Sequence, residues 1–426
     1  METERPAAKL CPDCGQNVPV DPRFVTWCAE CGWNVDPGSP EAPEGRLEAL
    51  RRQLARRHGE QLFAEGIDGR AHKDPSSVLA RALALLVHAV TLGLAVAGAV
   101  VLVSGIGTFS GWALGVLLLG IAFVLRPRFG SLPATGEEPV LYRADAPHLF
   151  GLIDEVAAVV GTRGVDAVVI QADANASVST YGIRQRRVLR LGLGLWEVLT
   201  PRQRVAVLGH ELGHYANGDT RHGAIVHNAL RSLALWVYFL SPKPCPTMTE
   251  RFANYLMAVP RWVVYGVLVL LDQLTLRAAQ RAEYLADEAA ARAASTDAAV
   301  ELMDKVLVAG SVALELRRES VAAHTKGRGG PSRDEAERGL WDRLAEHIGA
   351  VPEREYERLR RTAALRGHAV DSTHPPTHLR RSRLAEAAAP HPAAVRPTED
   401  STAAIDAELA GPRSRVARQV IRDYAG

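Results

Sequence analysis

The sequence predicts a mainly helical α+β protein with a small sheet, transmembrane helices and an N-terminal four-cysteine zinc ribbon. Three observations carry this expectation. From Ala82 to Leu125 there is no Asp, Glu, Lys or Arg. Ahead of that stretch stand two C-x-x-C-G units, Cys11-Pro-Asp-Cys14-Gly and Cys28-Ala-Glu-Cys31-Gly. After it, short strand-like runs lead into a capped helix, from Thr200, that carries two histidines four residues apart.

Composition sets the outer bounds. A chain of 426 residues has room for several domains and a sizeable core. A net charge of +2 gives no reason to expect nucleic acid as a partner. Arginine far outnumbers lysine and alanine is abundant, as in chains from GC-rich bacterial genomes. No apolar core segment lies in the first sixty residues, so no cleavable signal peptide is expected. Four of the five cysteines sit in the paired units, which suits metal binding in a reducing compartment better than a disulfide framework.

In the ribbon, residues 1–35, each C-x-x-C makes a tight turn that aims two thiolates at a common centre, relaxed by the glycine that follows. Cys11, Cys14, Cys28 and Cys31 together make a closed tetrahedral site, hence a structural zinc whose use is to display a surface to a protein partner. A redox reading is weaker, because no βαβ pattern surrounds either pair. Residues 36–77 read as a Pro/Gly-rich linker to Gly45 and then a basic helix from Arg46 to Gly66. That helix is either an ordinary solvated one or a juxtamembrane one lying against anionic lipid.

Residues 78–126 form an expected transmembrane hairpin, broken at Ser104-Gly105-Ile106-Gly107-Thr108. Arg81 precedes it, Arg126 and Arg128 follow it, and the turn is uncharged, so both ends should face the cytoplasm. The expected protein is therefore multi-pass in a bacterial cell membrane, with the termini and the soluble domain cytoplasmic. His88, inside the first span, is read as a packed or hydrogen-bonded residue without a role.

The soluble part, residues 140–385, opens with a helix at Ala146–Gly161 and strands at Ala167–Gln171, Ala176–Tyr181 and Arg187–Leu191. Asn175 stands at the start of a strand that, at a sheet edge, could pair with an extended peptide. Thr200 is an N-cap, Pro201 suits the first helical position and Gln203 completes a capping box. On that helix His210 and His214 share one face and can hold one metal ion. Glu211 is placed to reach a water on the metal rather than to ligate it. This is H-E-x-x-H, the pattern of zinc-dependent peptide hydrolysis.

Two more apolar segments follow, at 224–240 and 252–276. Both are interrupted by charge and are read as helices in or half in the membrane, with buried soluble helices as the alternative. The second leads into Glu283-Tyr-Leu-Ala-Asp287. Two histidines need one further protein ligand to leave a single open position, and Glu283 can supply it. Asp287 suits an acceptor that orients a ligating imidazole, with Asp219 as its competitor.

H-E-L-G-H-Y-x-N-G-D, two apolar segments, E-Y-x-A-D and Thr373-His374-Pro375-Pro376-Thr377-His378-Leu379-Arg380 occur in that order. Over about residues 140–385 the chain resembles the HtpX-like membrane zinc metallopeptidases, relatives of the type I CAAX prenyl endopeptidases. The resemblance implies a gluzincin-type domain, ligands His210, His214 and Glu283, catalysis by Glu211, and Asn175 on the substrate-edge strand. Where that family carries a bulky residue after Asn-Ala, this chain has Ser177. The resemblance does not cover the ribbon.

The reading is thus a membrane zinc metalloendopeptidase that acts on protein or peptide substrates, with one catalytic and one structural zinc and a role in membrane-protein quality control. The alternative is an inactive membrane-tethered scaffold that binds partners through the ribbon. An oxyanion stabiliser is open between His374 and Arg380. Ser320–Glu335 and Ala387–Thr402 read as mobile linkers, residues 386–426 as a C-terminal tail, and Cys245 as incidental.

Overall fold

The structure is a computed structural model that describes residues 8–38, 46–65, 75–127, 138–182, 184–216, 219–242, 247–325, 333–366 and 374–423. Strands β1 (Ala8–Leu10) and β2 (Asn17–Pro19) pair antiparallel with Lys9 opposite Val18. Both knuckles close alike, the N–H groups of Gly15 and Gly32 donating at 3.0 Å to the carbonyls of Cys11 and Cys28. Gly15 and Gly32 sit at φ of +73° and +76°, which is why glycine follows each C-x-x-C.

Helix α1 (Arg46–Glu65) buries Ala55, Gly59 and Leu62, a stripe at helical spacing. Helices α2 (Pro75–Ser104) and α3 (Phe109–Leu125) form the hairpin. Thr108 caps α3 by accepting from the Gly111 N–H at 3.3 Å. The two helices approach at glycines: a Cβ on Gly115 would lie 2.9 Å from the Leu102 backbone nitrogen. Their outer faces leave Leu86, Leu92, Val103, Phe109, Trp112, Leu117 and Phe123 exposed. A continuous apolar surface of this kind marks contact with something other than water.

The small sheet has the order β3-β4-β6-β5, built from β3 (Val140–Leu141), β4 (Ala167–Gln171), β5 (Ala176–Tyr181) and β6 (Arg186–Gly192). β4 and β6 run parallel, and β5 runs antiparallel to β6 at the edge. Helix α4 (Pro147–Val160) covers one face and ends on Gly161 at φ +85°. After the short α5 (Leu193–Trp196) comes α6 (Pro201–Ala216). Its capping box is formed: the Thr200 N–H donates to Gln203 Oε1 at 3.0 Å, and the Gln203 N–H to Thr200 Oγ1 at 3.4 Å.

Helix α7 (Asp219–Leu240) holds the first later apolar segment. The second, expected as one helix over 252–276, is divided. A short α8 (Met248–Leu256) with its own Thr247–Glu250 capping box ends at Met257, and α9 (Ala258–Ala294) starts there and runs 37 residues. Pro260 in the first turn of α9 fits that restart. At 1.5 Å per residue α9 is about 56 Å long, so one rod joins the apolar bundle to the domain that holds the sheet. Ala80, Ala84 and Val87 of α2 pack there on Val226, Ala229, Leu233 and Trp236 of α7 and Leu271 of α9. His88 Nε2 lies 3.0 Å from the Ile225 carbonyl, and the Trp236 indole donates to the Leu125 carbonyl at 3.1 Å. Ser76–Ser104 and Ala258–Ala294 are long and apolar enough to cross a membrane, whereas Phe109–Leu125 and Ile225–Leu240 are shorter apolar helices.

The remaining helices are α10 (Thr296–Leu307), α11 (Ala309–Thr325), α12 (Arg333–Arg338), α13 (Leu340–Gly349), α14 (Glu353–Arg366), α15 (Thr377–Ala385) and α16 (Glu399–Asp423). Two linker expectations differ here. Residues 320–325 continue α11 and 333–335 open α12, while 326–332, like Cys245, lie outside the described residues. The stretch 387–402 is anchored rather than loose. Ala394 and Val395 donate to the Ala293 carbonyl at 3.2 and 2.9 Å, and the His391 N–H donates to Thr296 Oγ1 at 2.8 Å. Its Pro/Ala composition looks like a loop, yet its extended backbone caps the carbonyl end of α9. Beyond it, α16 buries Ile405, Leu409, Val416, Val420 and Ile421 in the main core, so this segment is not a tail.

The ribbon rests on α14. Arg354 donates to the carbonyls of Pro19 (2.9 Å) and Trp27, Arg358 to Val35 (2.9 Å) and Arg361 to Ala29 (2.5 Å). Trp27 is buried, with the Arg354 and Arg361 guanidinium carbons 5.4 and 5.1 Å from its ring.

Candidate metal centre

The site forms where α6 crosses α9, and small residues let the two helices meet. A Cβ on Gly209 would lie 2.9 Å from Ala290 Cα, and one on Gly213 3.0 Å from Ala286 Cα. Only glycine facing alanine permits so close a crossing. These glycines carry no role in the expectations from sequence, although G-x-x-x-G at 209 and 213, facing Ala286, Ala289, Ala290 and Ala293, is a close-packing stripe. The crossing brings His210 and His214 of α6 against Glu283 and Asp287 of α9.

His210 Nε2 and His214 Nε2 are 3.3 Å apart, and Glu283 places Oε2 and Oε1 3.5 Å from each in turn. A tetrahedral ion with bonds of about 2.0–2.1 Å has ligand-to-ligand edges of about 3.3–3.4 Å. Two imidazoles and a carboxylate at these separations fit zinc. Glu283 Oε2 is buried and accepts no hydrogen bond of good geometry, its nearest cation being Arg380 Nη2 at 3.3 Å, so it keeps a lone pair for a bound metal ion. Cys11–Cys31 and Cys14–Cys28 Sγ pairs are each 3.6 Å apart, far beyond a disulfide and near the edge of about 3.8 Å for zinc–sulfur bonds of about 2.3 Å. The described residues therefore include two groups of side chains able to bind a metal.

Around the triad, Asp287 Oδ1 lies 3.0 Å from His210 Nδ1 and receives Arg380 Nη2 at 2.6 Å. Arg380 is buried, with Nη2 3.3 Å from Glu283 Oε2. It stands behind the ligand set, joined to Asp287. His374, half-buried, places Nε2 3.3 Å from Glu283 Oε1. Of the two candidates for an oxyanion donor, only His374 approaches from a partly open side. The Asp219 residue starts α7, and its side chain, like Thr373, lies outside the described residues.

Burial disfavours charge on both imidazoles. On His210 the Asp287 and Glu283 carboxylates outweigh it and hold the pKa up at about 10. His214, buried beside His210, falls to about 4. Burial also raises Glu211, against the pull of the nearby His210 and Arg380. Burial would raise Glu283 and Asp287 too, but Arg380 and His210 bring both below the ordinary carboxylate range. Two ionised carboxylates hold the proton on His210 beside the fixed charge of Arg380, and a metal ion at the triad would take the place of that proton.

The sheet edge adjoins the site through Tyr215, the residue after His214. Its hydroxyl donates to the Ser179 carbonyl of β5 at 2.7 Å, and Arg187 stands 4.4 Å over its ring. Asn175 is exposed at the start of β5, with Oδ1 accepting from the Ala176 N–H at 2.9 Å.

A mainly helical domain with a small sheet, in which two histidines and a glutamate could hold one metal ion beside a further buried glutamate, fits the metallopeptidase class. The chain belongs to peptidase family M48, whose sequence profile matches residues 145–388, more than half of the chain. Among curated proteins, Protease HtpX of Pseudomonas putida (strain GB-1) is 25% identical over 172 residues, 38% of this chain and 56% of that protein. A Protease HtpX homolog of Syntrophobacter fumaroxidans is 27% identical over 157 residues, 35% of this chain and 55% of that protein. The matches thus span about half the length of these relatives. No solved structure matches.

Proposed function

We propose that the chain is a membrane-bound zinc metalloendopeptidase acting on protein or peptide substrates. The observation that carries this reading is the triad of His210, His214 and Glu283 with edges of 3.3 to 3.5 Å and Glu211 buried next to it. The three would hold the catalytic zinc, which as a Lewis acid polarises the scissile carbonyl and acidifies water. Glu211 takes the proton of the attacking water and returns it to the leaving amine. Asp287 accepts from His210 Nδ1–H and fixes that ring, and Arg380 holds Asp287. His374 donates to the developing oxyanion. The edge strand β5, with Asn175 at its start, pairs with an extended substrate through backbone hydrogen bonds.

Cys11, Cys14, Cys28 and Cys31 would hold a second, structural zinc. One side of the ribbon is engaged by α14, which leaves the side of Leu10, Cys14 and Cys31 for any protein partner. The exposed apolar surface of α2, α3 and the start of α9 contacts membrane lipid, in a multi-pass arrangement with the catalytic domain and termini cytoplasmic. In α8 no residue is buried, and Met248, Phe252, Tyr255 and Leu256 form one apolar stripe that suits the interface. A membrane peptidase of this build suits membrane-protein quality control. The test is degradation of unfolded casein by the purified full chain. Activity lost to a zinc chelator and restored by zinc supports the reading, and casein left intact with the site zinc-loaded refutes it.

A further inference from the structure

Residues 8–38 and 46–65 lie outside the family match, yet they hold both flanks of the segment that carries His374. Helix α1 lies across α9 and α15. Gln280 Nε2–H, fully buried, donates to the Ala55 carbonyl at 2.9 Å, and the Tyr284 hydroxyl donates to the Gly59 carbonyl at 3.4 Å. Gln280 and Tyr284 bracket Glu283. On its other side Gly59 meets the turn after His374: a Cβ there would lie 3.0 Å from Pro376 Cδ and 3.7 Å from Pro375 Cβ. Leu62 is buried beneath the next turn, and Phe63 closes one wall of a cavity of about 460 Å³ that reaches Asp287 and Arg380. On the chain before His374, α14 is fixed by its arginines to the ribbon carbonyls.

We propose that α1 is a positioning element of the metal centre, with Gly59 as its key residue. It seats the Pro375–Pro376 turn against the Gln280–Tyr284 turn and so sets His374 beside Glu283. The inference rests on the reading of His374 as an active-site group. The physical reason is geometric. Two consecutive prolines make a stiff turn, so a displacement at Pro376 is transmitted to His374 instead of being absorbed. A side chain at position 59 has no room unless α1 or that turn moves.

The test uses the full chain in detergent, with unfolded casein as substrate. Gly59→Leu should lower kcat about 10- to 100-fold, as a misplacement of order 1 Å does, with KM and zinc content unchanged. Gly59→Ala, which needs a shift of only a few tenths of an ångström, should give a several-fold loss and covers the case where the leucine variant does not fold. In a His374→Ala background neither change should lower kcat further. A wild-type kcat in folded Gly59→Leu, or in Gly59→Ala if that alone folds, would overturn the proposal. So would equal fold-losses in both backgrounds. Modification of His374 by diethyl pyrocarbonate, read by peptide mass, is independent of turnover. It should rise several-fold in the position-59 variants, and an unchanged rate overturns the proposal even if the wild-type chain fails to cleave casein, a result that would count against the peptidase reading instead.

Discussion

Arg380 grips Asp287 through two parallel hydrogen bonds, Nε to Oδ2 at 2.8 Å and Nη2 to Oδ1 at 2.6 Å, with both side chains buried. Asp287 in turn lies 3.0 Å from His210 Nδ1, so the guanidinium holds a carboxylate that holds the ring of a proposed ligand. Arg380→Met should therefore destabilise the protein by about 3–5 kcal/mol, since it strands buried carboxylates. Thermal unfolding checks this, and an unchanged midpoint would mean the pair is not a supporting element. Asp287→Asn should weaken zinc binding about 10- to 100-fold without abolishing it.

The α6–α9 crossing depends on Gly213, whose missing Cβ leaves room for Ala286. Gly213→Val should separate His214 from Glu283, with about 1–3 kcal/mol of overpacking strain and loss of site zinc. A zinc titration on the folded variant measures it. Binding equal to wild type would show that the crossing tolerates a side chain.

How much of this was legible in sequence follows from the range of each interaction. The capping box at Thr200 and Gln203, the knuckle glycines, and the strands at 167–171 and 176–181 are local, and residues a few positions apart define them. His210, His214 and Glu283, which the structure brings together, stood out in sequence because a metal site would restrict residue type as well as spacing. The break at Met257 did not, because apolar periodicity continues across it and only Pro260, in the first turn of α9, marks the new helix. The anchoring of His391 on Thr296 and of Ala394 and Val395 on Ala293 was hidden for a different reason: hydrogen bonds made by the backbone leave no signature in side-chain composition. Arg380 was noticed in the sequence, but its place behind Asp287 depends on the packing of α15 against α9.

The ribbon should carry its own zinc. Metal analysis of the full chain should give two ions, and Cys14→Ser combined with Cys31→Ser should leave one. One ion in the wild-type chain and one in the double variant would refute the two-site assignment.

Membrane contact predicts detergent dependence and a defined orientation. Cysteines placed at Ser39 and Ser401 should label from the cytoplasmic side and one at Gly107 from the opposite side, following the positive flanks of the hairpin. Recovery of a monodisperse protein without detergent would remove the membrane reading.

Burial places the Glu211 carboxyl above its ordinary value, partly offset by neighbouring cations that include His374. A general base works only when ionised, so kcat/KM should fall as pH falls through that raised pKa. His374→Ala removes one offsetting charge and should move this acid limb to higher pH. A limb that moves down instead would contradict the assignment.

The central claim is that Glu211 is the base and Glu283 a ligand, and paired measurement of hydrolysis and bound zinc in Glu211→Gln and Glu283→Gln tests it most directly. Glu211→Gln should keep its zinc and lose activity by about a hundredfold or more. Glu283→Gln should lose zinc and activity together, with partial recovery when zinc is added. Full zinc and full activity in Glu283→Gln, or zinc loss in Glu211→Gln, would contradict the account.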